Sequence, residues 1–348
     1  MRARPVAMAV SIISAVLAAA PPASAQAPGA IPLATSPVKP SPAAPAPKPA
    51  KSVKGAPKPA AAPAGEPDVA FGAYQRGYYL TAFAEATKRV NASADPKAMT
   101  LLAELYANGL GVPNNDVEAA KWYALAAQRG DREAMFALAM FRIGGRGGPR
   151  DAAEGARLLG EAAKLGHAAA AYDLGLLYLE GRQFPQDVKR AAELFQMAAQ
   201  AGNAEAQYAL ATLYKDGRGV QQDAQKATQL MAAAAQADFL DAEVEYAIAL
   251  FNGTGTTKDE ARAVALFRKA AMRGSPIAQN RLARILASGR GVAAADPVQA
   301  IKWHLIAKSA GESDTFLDEF MGKQTPETRA AAERQAKPWL DMIAQSRS

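Results

Sequence analysis

Carboxylates at regular spacing are the first residues in this chain to test for metal or acid–base chemistry. Asp151, Asp187, Asp223 and Asp259 lie 36 residues apart; Asn115 holds the same register before them, and Asp296 follows after a one-residue insertion. A metal site or an acid–base pair needs its groups to converge on one point. One carboxylate per 36 residues puts each on a separate structural unit, so the series is read as helix N-caps, whose side chains accept from free backbone N–H groups. The two histidines, His167 and His304, have no serine or cysteine beside them in a triad arrangement. His167 follows Gly166 in an expected joining turn, and His304 follows Trp303 at an expected packing position. The run Gly144-Gly145-Arg146-Gly147-Gly148 lacks the Lys-Ser/Thr pair and the preceding strand of a phosphate-binding loop. The chain has no cysteine, which excludes disulfides, zinc thiolates, a thiol nucleophile and lipidation of an N-terminal cysteine. No catalytic, cofactor-binding or metal-ligating residue is expected, and the chain is read as a non-enzyme.

Charge sits unevenly along the 348 residues. Lys and Arg number 40 against 33 Asp and Glu, a net +7. Residues 26–67 carry Lys39, Lys48, Lys51, Lys54 and Lys58 with one acid, Glu66; residues 68–348 hold 33 bases and 32 acids. A nearly neutral body argues against a nucleic-acid partner, which requires excess positive charge on the folded surface. Half the residues are hydrophobic and 21% are charged, the composition of a folded chain.

The N-terminus reads as an export signal. Arg2 and Arg4 precede the uncharged stretch Val6 to Ala20, and Ala23-Ser24-Ala25 forms a small-x-small site. Cleavage is expected after Ala25, which would place the mature protein outside the cytoplasm, in a bacterial periplasm. The apolar stretch is shorter than the ~20 residues needed to span a bilayer, and Pro21 and Pro22 close it, so no transmembrane segment is expected after cleavage. Residues 26–67 contain twelve prolines and are expected to be a disordered, extended spacer. Electrostatic adhesion of its lysines to an anionic envelope polymer is the alternative reading of that linker.

The body repeats. Ala98, Ala134, Ala170, Ala206, Ala242 and Ala278 are each 36 residues apart; Leu102, Leu138, Leu174, Leu210, Tyr246 and Leu282 follow four residues later. Glycines recur eleven residues after the alanine, from Gly109 to Gly289, and thirteen after it, except at Gln183. Each copy reads as a helical hairpin. Its first helix carries a stripe such as Ala98, Leu102, Leu105 and Tyr106. Glycines end that helix, where φ must turn positive. The Asp or Asn then caps a second helix with small residues such as Ala119, Ala126 and Ala127.

The stretches AMTLLAELYANGLGVPNNDVEAAKWYALAAQRG (98–130) and AQYALATLYKDGRGVQQDAQKATQLMAAAAQAD (206–238) resemble Sel1-like repeats, relatives of the tetratricopeptide repeat. Six copies cover 98–311. Arg142 and Leu250 stand where the family prefers tyrosine, and Gln183 replaces a turn glycine. Residues 68–97 resemble a shorter tetratricopeptide-type hairpin turning at Gly77, and 312–348 read as a capping pair, with Pro326 at the first position of the last helix and Trp339 as a seal. The expected fold is therefore all-α, a right-handed solenoid of helical hairpins.

The resemblance implies a scaffold, adaptor or regulator that holds a partner in a concave groove lined by the first helices. The groove-facing positions would be Phe136, Met140 and Ile143; Tyr172, Leu176 and Leu179; Tyr208, Thr212 and Lys215; Val244, Ile248 and Phe251. The outer copies read Thr100, Glu104 and Ala107, and Asn280, Arg284 and Ala287, so the groove would be apolar in its middle and polar at its ends. Either these residues form a binding surface, or the curvature of the stack buries them as core. The expected partner is an envelope protein or peptide, with association to the cell wall (peptidoglycan) through the basic tail as the alternative.

Overall fold

The computed structural model describes residues 68–181 and 185–345; the expected signal peptide and linker lie outside them. The described residues form sixteen helices and no strand. An opening hairpin pairs α1 (Val69–Gln75) with α2 (Tyr79–Ser93). Six hairpins follow: α3 (Pro96–Asn108) with α4 (Asp116–Gln128), α5 (Arg132–Gly144) with α6 (Ala152–Lys164), and α7 (Ala168–Glu180) with α8 (Val188–Gln200). The next three are α9 (Ala204–Asp216) with α10 (Ala224–Gln236), α11 (Leu240–Asn252) with α12 (Glu260–Met272), and α13 (Pro276–Ser288) with α14 (Pro297–Ser309). The stack ends in α15 (Thr315–Gly322) and α16 (Pro326–Gln345).

Extensive packing joins consecutive helices from α1 to α14, and α14 packs equally against α16. This is an α-solenoid, in which a single hairpin cannot bury its own apolar face and stability comes from stacking. Every helix from α3 to α14 has 13 residues. The second-helix capping residues act as the spacing implied: Asn115, Asp151, Asp187, Asp223, Asp259 and Asp296 each accept a backbone N–H three residues on.

Alanine sets the approach of the helices. α4 buries Ala119, Ala120, Ala126 and Ala127, and α10 buries Ala227, Ala234 and Ala235. Larger side chains fill the gaps between repeats; Phe195, Phe267, Leu102 and Leu210 are fully buried. Of the stripe expected on α3, Ala98, Leu102 and Leu105 are buried, whereas Tyr106 is half-buried and meets Phe83 edge-on at 5.7 Å.

The second glycine of the turn has a further reason to be glycine. A Cβ on Gly255 would stand 2.1 Å from the Ala224 carbonyl oxygen, at the start of the preceding repeat's second helix. On Gly147 it would stand 2.2 Å from the Asp116 carbonyl oxygen. These residues both take the left-handed conformation and let one repeat touch the backbone of the last. In the third copy, Gln183 lies outside the described residues. At the C-terminal end Trp339 packs edge-on against Trp303, with centroids 5.5 Å apart, and covers the last hairpin.

Candidate protein-interaction face

The first helices α5, α7, α9 and α11 carry the residues expected to line a groove. Phe136, Met140, Tyr172, Leu176, Tyr208, Thr212, Ile248 and Phe251 are all half-buried, as are Ile143 and Leu179, and Lys215 is exposed. Val244 differs: it is 4% exposed and belongs to the core around Phe267. Its smaller β-branched side chain sinks beneath the level that tyrosine reaches at the same position in α7 and α9.

Phe136 and Tyr208 lean on the N-cap residue of the next first helix, and Tyr172 leans on the second helix of its own hairpin. Phe136 stacks on His167 at 4.5 Å, while Tyr172 meets Phe195 at 5.6 Å and Tyr208 meets Phe239 at 5.2 Å with the rings tilted. One side of each ring therefore serves the fold while part of it stays open. Thr212 returns its hydroxyl to the Tyr208 carbonyl, and Lys215 pairs across the repeat boundary with Glu245 at 3.2 Å. Partial burial pushes the Tyr172 and Tyr208 hydroxyls up to about 12, so both remain neutral donors.

Two carboxylates lie along the same helices with few partners. Glu104 on α3 is raised to about 7, first by burial and then by the charges of Glu133 and Asp131. Asp173 on α7 is 7% exposed and receives no hydrogen bond from a described residue. Burial raises it to about 6, His167 opposes that shift, and Glu205 adds to it. Sequence reasoning placed Glu104 at the polar end of the groove and missed Asp173; an acid in the middle of the apolar run of α7 was the available signal. At the other end Arg284 makes a two-pronged pair with Asp314, which Asn280 also contacts at 3.0 Å.

Both histidines bind carboxylates, and neither ring is hydrogen-bonded to a hydroxyl. His167 is the N-cap of α7: its Nδ1 accepts from the Ala170 N–H at 3.0 Å, and Nε2 lies 3.0 Å from Glu133. Asp95, Asp131, Asn203 and Ser275 cap the other first helices at the same 36-residue interval, and Phe239 holds the position without a side-chain bond. That second capping series was readable in the spacing and was missed. His304 is fully buried, with Nε2 2.8 Å from Asp318, which also takes Lys308 at 2.7 Å. Among the described residues no group of three or more His, Asp and Glu is placed to hold a metal ion, and no helix is long and apolar enough to cross a membrane.

Known proteins share this architecture. A Sel1 repeat protein from Oxalobacter formigenes is 26% identical and aligns with a TM-score of 0.57 over 71% of this chain and 96% of its own. The protein c5321, a protective antigen of uropathogenic Escherichia coli with an SLR fold, is 26% identical with a TM-score of 0.52; the match covers 76% of this chain and 64% of that one. No curated protein matches the sequence. The Sel1 repeat model matches six consecutive segments, 96–131, 132–167, 168–203, 204–239, 240–275 and 276–312. These segments coincide with the six equal hairpins and their two capping series, and they span more than half of the chain; the protein belongs to the Sel1 repeat family.

Proposed function

We propose that the protein is a periplasmic interaction scaffold that holds a segment of an envelope protein against its first-helix face. Sel1 repeats are commonly protein–protein interaction scaffolds, which supports the general role. The observation that carries the specific reading is the half-buried stripe of Phe136, Met140, Tyr172, Leu176, Tyr208, Ile248 and Phe251 across four consecutive repeats. Large apolar residues aligned on one face, each only partly covered, mark binding surfaces. The basic start, apolar stretch and Ala-Ser-Ala site of residues 1–25 support the compartment.

The test is crosslinking in cells followed by co-purification, comparing the native chain, Tyr172→Ser with Tyr208→Ser, and deletion of 26–67. Circular dichroism monitors helicity. One envelope protein held by the native chain and lost with the tyrosine changes at unchanged helicity is the expected result. Loss of helicity together with binding would assign the rings to the core. Wall retention that vanishes on deleting 26–67, with no protein partner, would replace the scaffold with a wall-associated module.

A further inference from the structure

Where the fourth and fifth repeats join, the chain departs from its own repeat pattern at residues that meet in one place. Tyr246 stands where Leu102, Leu138, Leu174, Leu210 and Leu282 fill the core. Thr256 stands where Val112, Val220 and Val292 pack partly buried against it. On α10, Thr228 takes the position of Ala120, Ala156, Ala192 and Val264, and Gln229 that of the charged Lys121, Arg157 and Glu193. Gln225, Thr228, Gln229, Tyr246, Thr256 and Thr257 all line one cleft of about 490 Å³ between α10 and the turn that joins α11 to α12. Ala232 and Gly255 complete it, and no charged side chain lines it. The cleft is built on a second helix, and no residue of the first-helix stripe takes part.

The walls are fixed, yet their polar groups are left open. Thr228 donates its hydroxyl to the Thr254 carbonyl at 2.9 Å, a bond its alanine and valine equivalents cannot make, and so ties the turn to α10. Gly255 permits that approach, since a Cβ there would stand 2.8 Å from the Thr228 hydroxyl oxygen. Tyr246 is 9% exposed, and the Arg262 guanidinium lies over its ring at 5.4 Å from the centroid. A buried tyrosine ordinarily pairs its hydroxyl, but that of Tyr246 has no hydrogen-bond partner among the described residues. The same holds for the side chains of Gln225, Gln229, Thr256 and Thr257.

We propose that this cleft binds a neutral saccharide, whose hydroxyls pair with the hydroxyls of Tyr246, Thr256 and Thr257 and the amides of Gln225 and Gln229. Hydroxyls and primary amides each donate and accept, and sugar hydroxyls do the same, so every open group in the cleft finds a match. An ionic ligand would enter without a countercharge and lose its hydration. An apolar ligand would leave the Tyr246 hydroxyl buried and unpaired, the costly case for a polar group. The volume lies in the lower half of the range for ligand pockets and suits a mono- or disaccharide unit. Three of the lining positions are apolar in other repeats, so the polar wall is a local feature of this junction and not a property of the stack. The site shares no residue with the stripe and stands whether or not the groove holds a partner.

Isothermal titration calorimetry on the purified full chain tests this with maltose, cellobiose and N,N′-diacetylchitobiose, and with the neutral peptide acetyl-Gly-Ser-Gly-amide for comparison. At least one disaccharide should bind saturably with a Kd on the order of 1 mM or tighter, and its affinity should not change with salt, because no charge is neutralised. Tyr246→Phe removes the hydroxyl and keeps the ring, and should weaken that binding about tenfold at unchanged helicity. Thr256→Val places in the turn the side chain that three other repeats carry there, so it should fold normally and weaken binding as well. A tetrasaccharide bound tighter than its disaccharide would assign the cleft to a glycan chain, and equal affinity to a free sugar; both support the proposal. Absence of saturable binding by all three disaccharides, unchanged affinity in both variants, or tighter binding of the peptide than of any sugar overturns it.

Discussion

His167 and Glu133 join two repeats through one imidazole. The Nε2 atom of His167 lies 3.0 Å from Glu133 Oε2, while Nδ1 accepts the Ala170 N–H that opens α7. Accepting at Nδ1 requires the ring proton on Nε2, and that proton is donated to Glu133. This bond is the first cause holding the Glu133 carboxyl below its usual range. The ring also stacks on Phe136, so one side chain caps a helix, bridges repeats and props the stripe.

Replacing His167 by alanine should cost roughly 0.5–2 kcal/mol, the range for a lost N-cap. His167→Asn keeps an acceptor at the cap and should recover most of that loss, as Asn203 does one repeat later. Urea unfolding of the two variants checks this; an equal loss in both would locate the contribution in the Phe136 stack or the Glu133 bridge instead.

Gly255 and Gly274 both have positive φ, at 67° and 90°. They differ in surroundings: a Cβ on Gly255 meets the Ala224 carbonyl oxygen at 2.1 Å, and one on Gly274 meets nothing within 4 Å. Gly274→Ala should cost only the left-handed backbone penalty, roughly 1–2 kcal/mol. Gly255→Ala should cost clearly more, because two repeats must separate. Equal midpoints in thermal unfolding would show that the repeat boundary yields freely.

Glu104 makes stability depend on pH in a defined direction. Its carboxyl is raised in the folded protein from 4.5 to about 7, so between those values the folded state binds more protons than the unfolded chain. Stability contributed at this site therefore falls as pH rises through that window. Below 4.5 both states are protonated and the penalty disappears; above 7 it is complete. Glu104→Gln should be near neutral at the acidic end and stabilising by on the order of 2 kcal/mol above 7. Urea midpoints of both proteins across the window read this directly; a variant destabilised at the alkaline end would show that the carboxylate has a compensating partner.

The sequence by itself determined the architecture. A 36-residue period carrying Ala98 and its equivalents, the turn glycines and the aspartate caps specifies hairpins, because helical stripe, left-handed turn and N-cap are local demands met by residues close in the chain. The same logic located Pro326 at the start of α16. Other features depended on contacts between repeats and were decided only in three dimensions. Gly255 and Gly147 were legible as turn residues, yet their contact with the preceding repeat's backbone was not. Tyr172, Tyr208 and Val244 occupy one repeat position, and only tertiary packing leaves the tyrosines half-open and Val244 buried. Arg284 was legible only as part of the polar end of the groove; that Asp314 and Glu260, each 30 residues from its arginine partner, orient Arg284 and Arg290 was decided by the stacking of the hairpins. Local periodicity encodes each hairpin; exposure, carboxyl pKa and the shape of the face arise from how one hairpin's side chains meet the next.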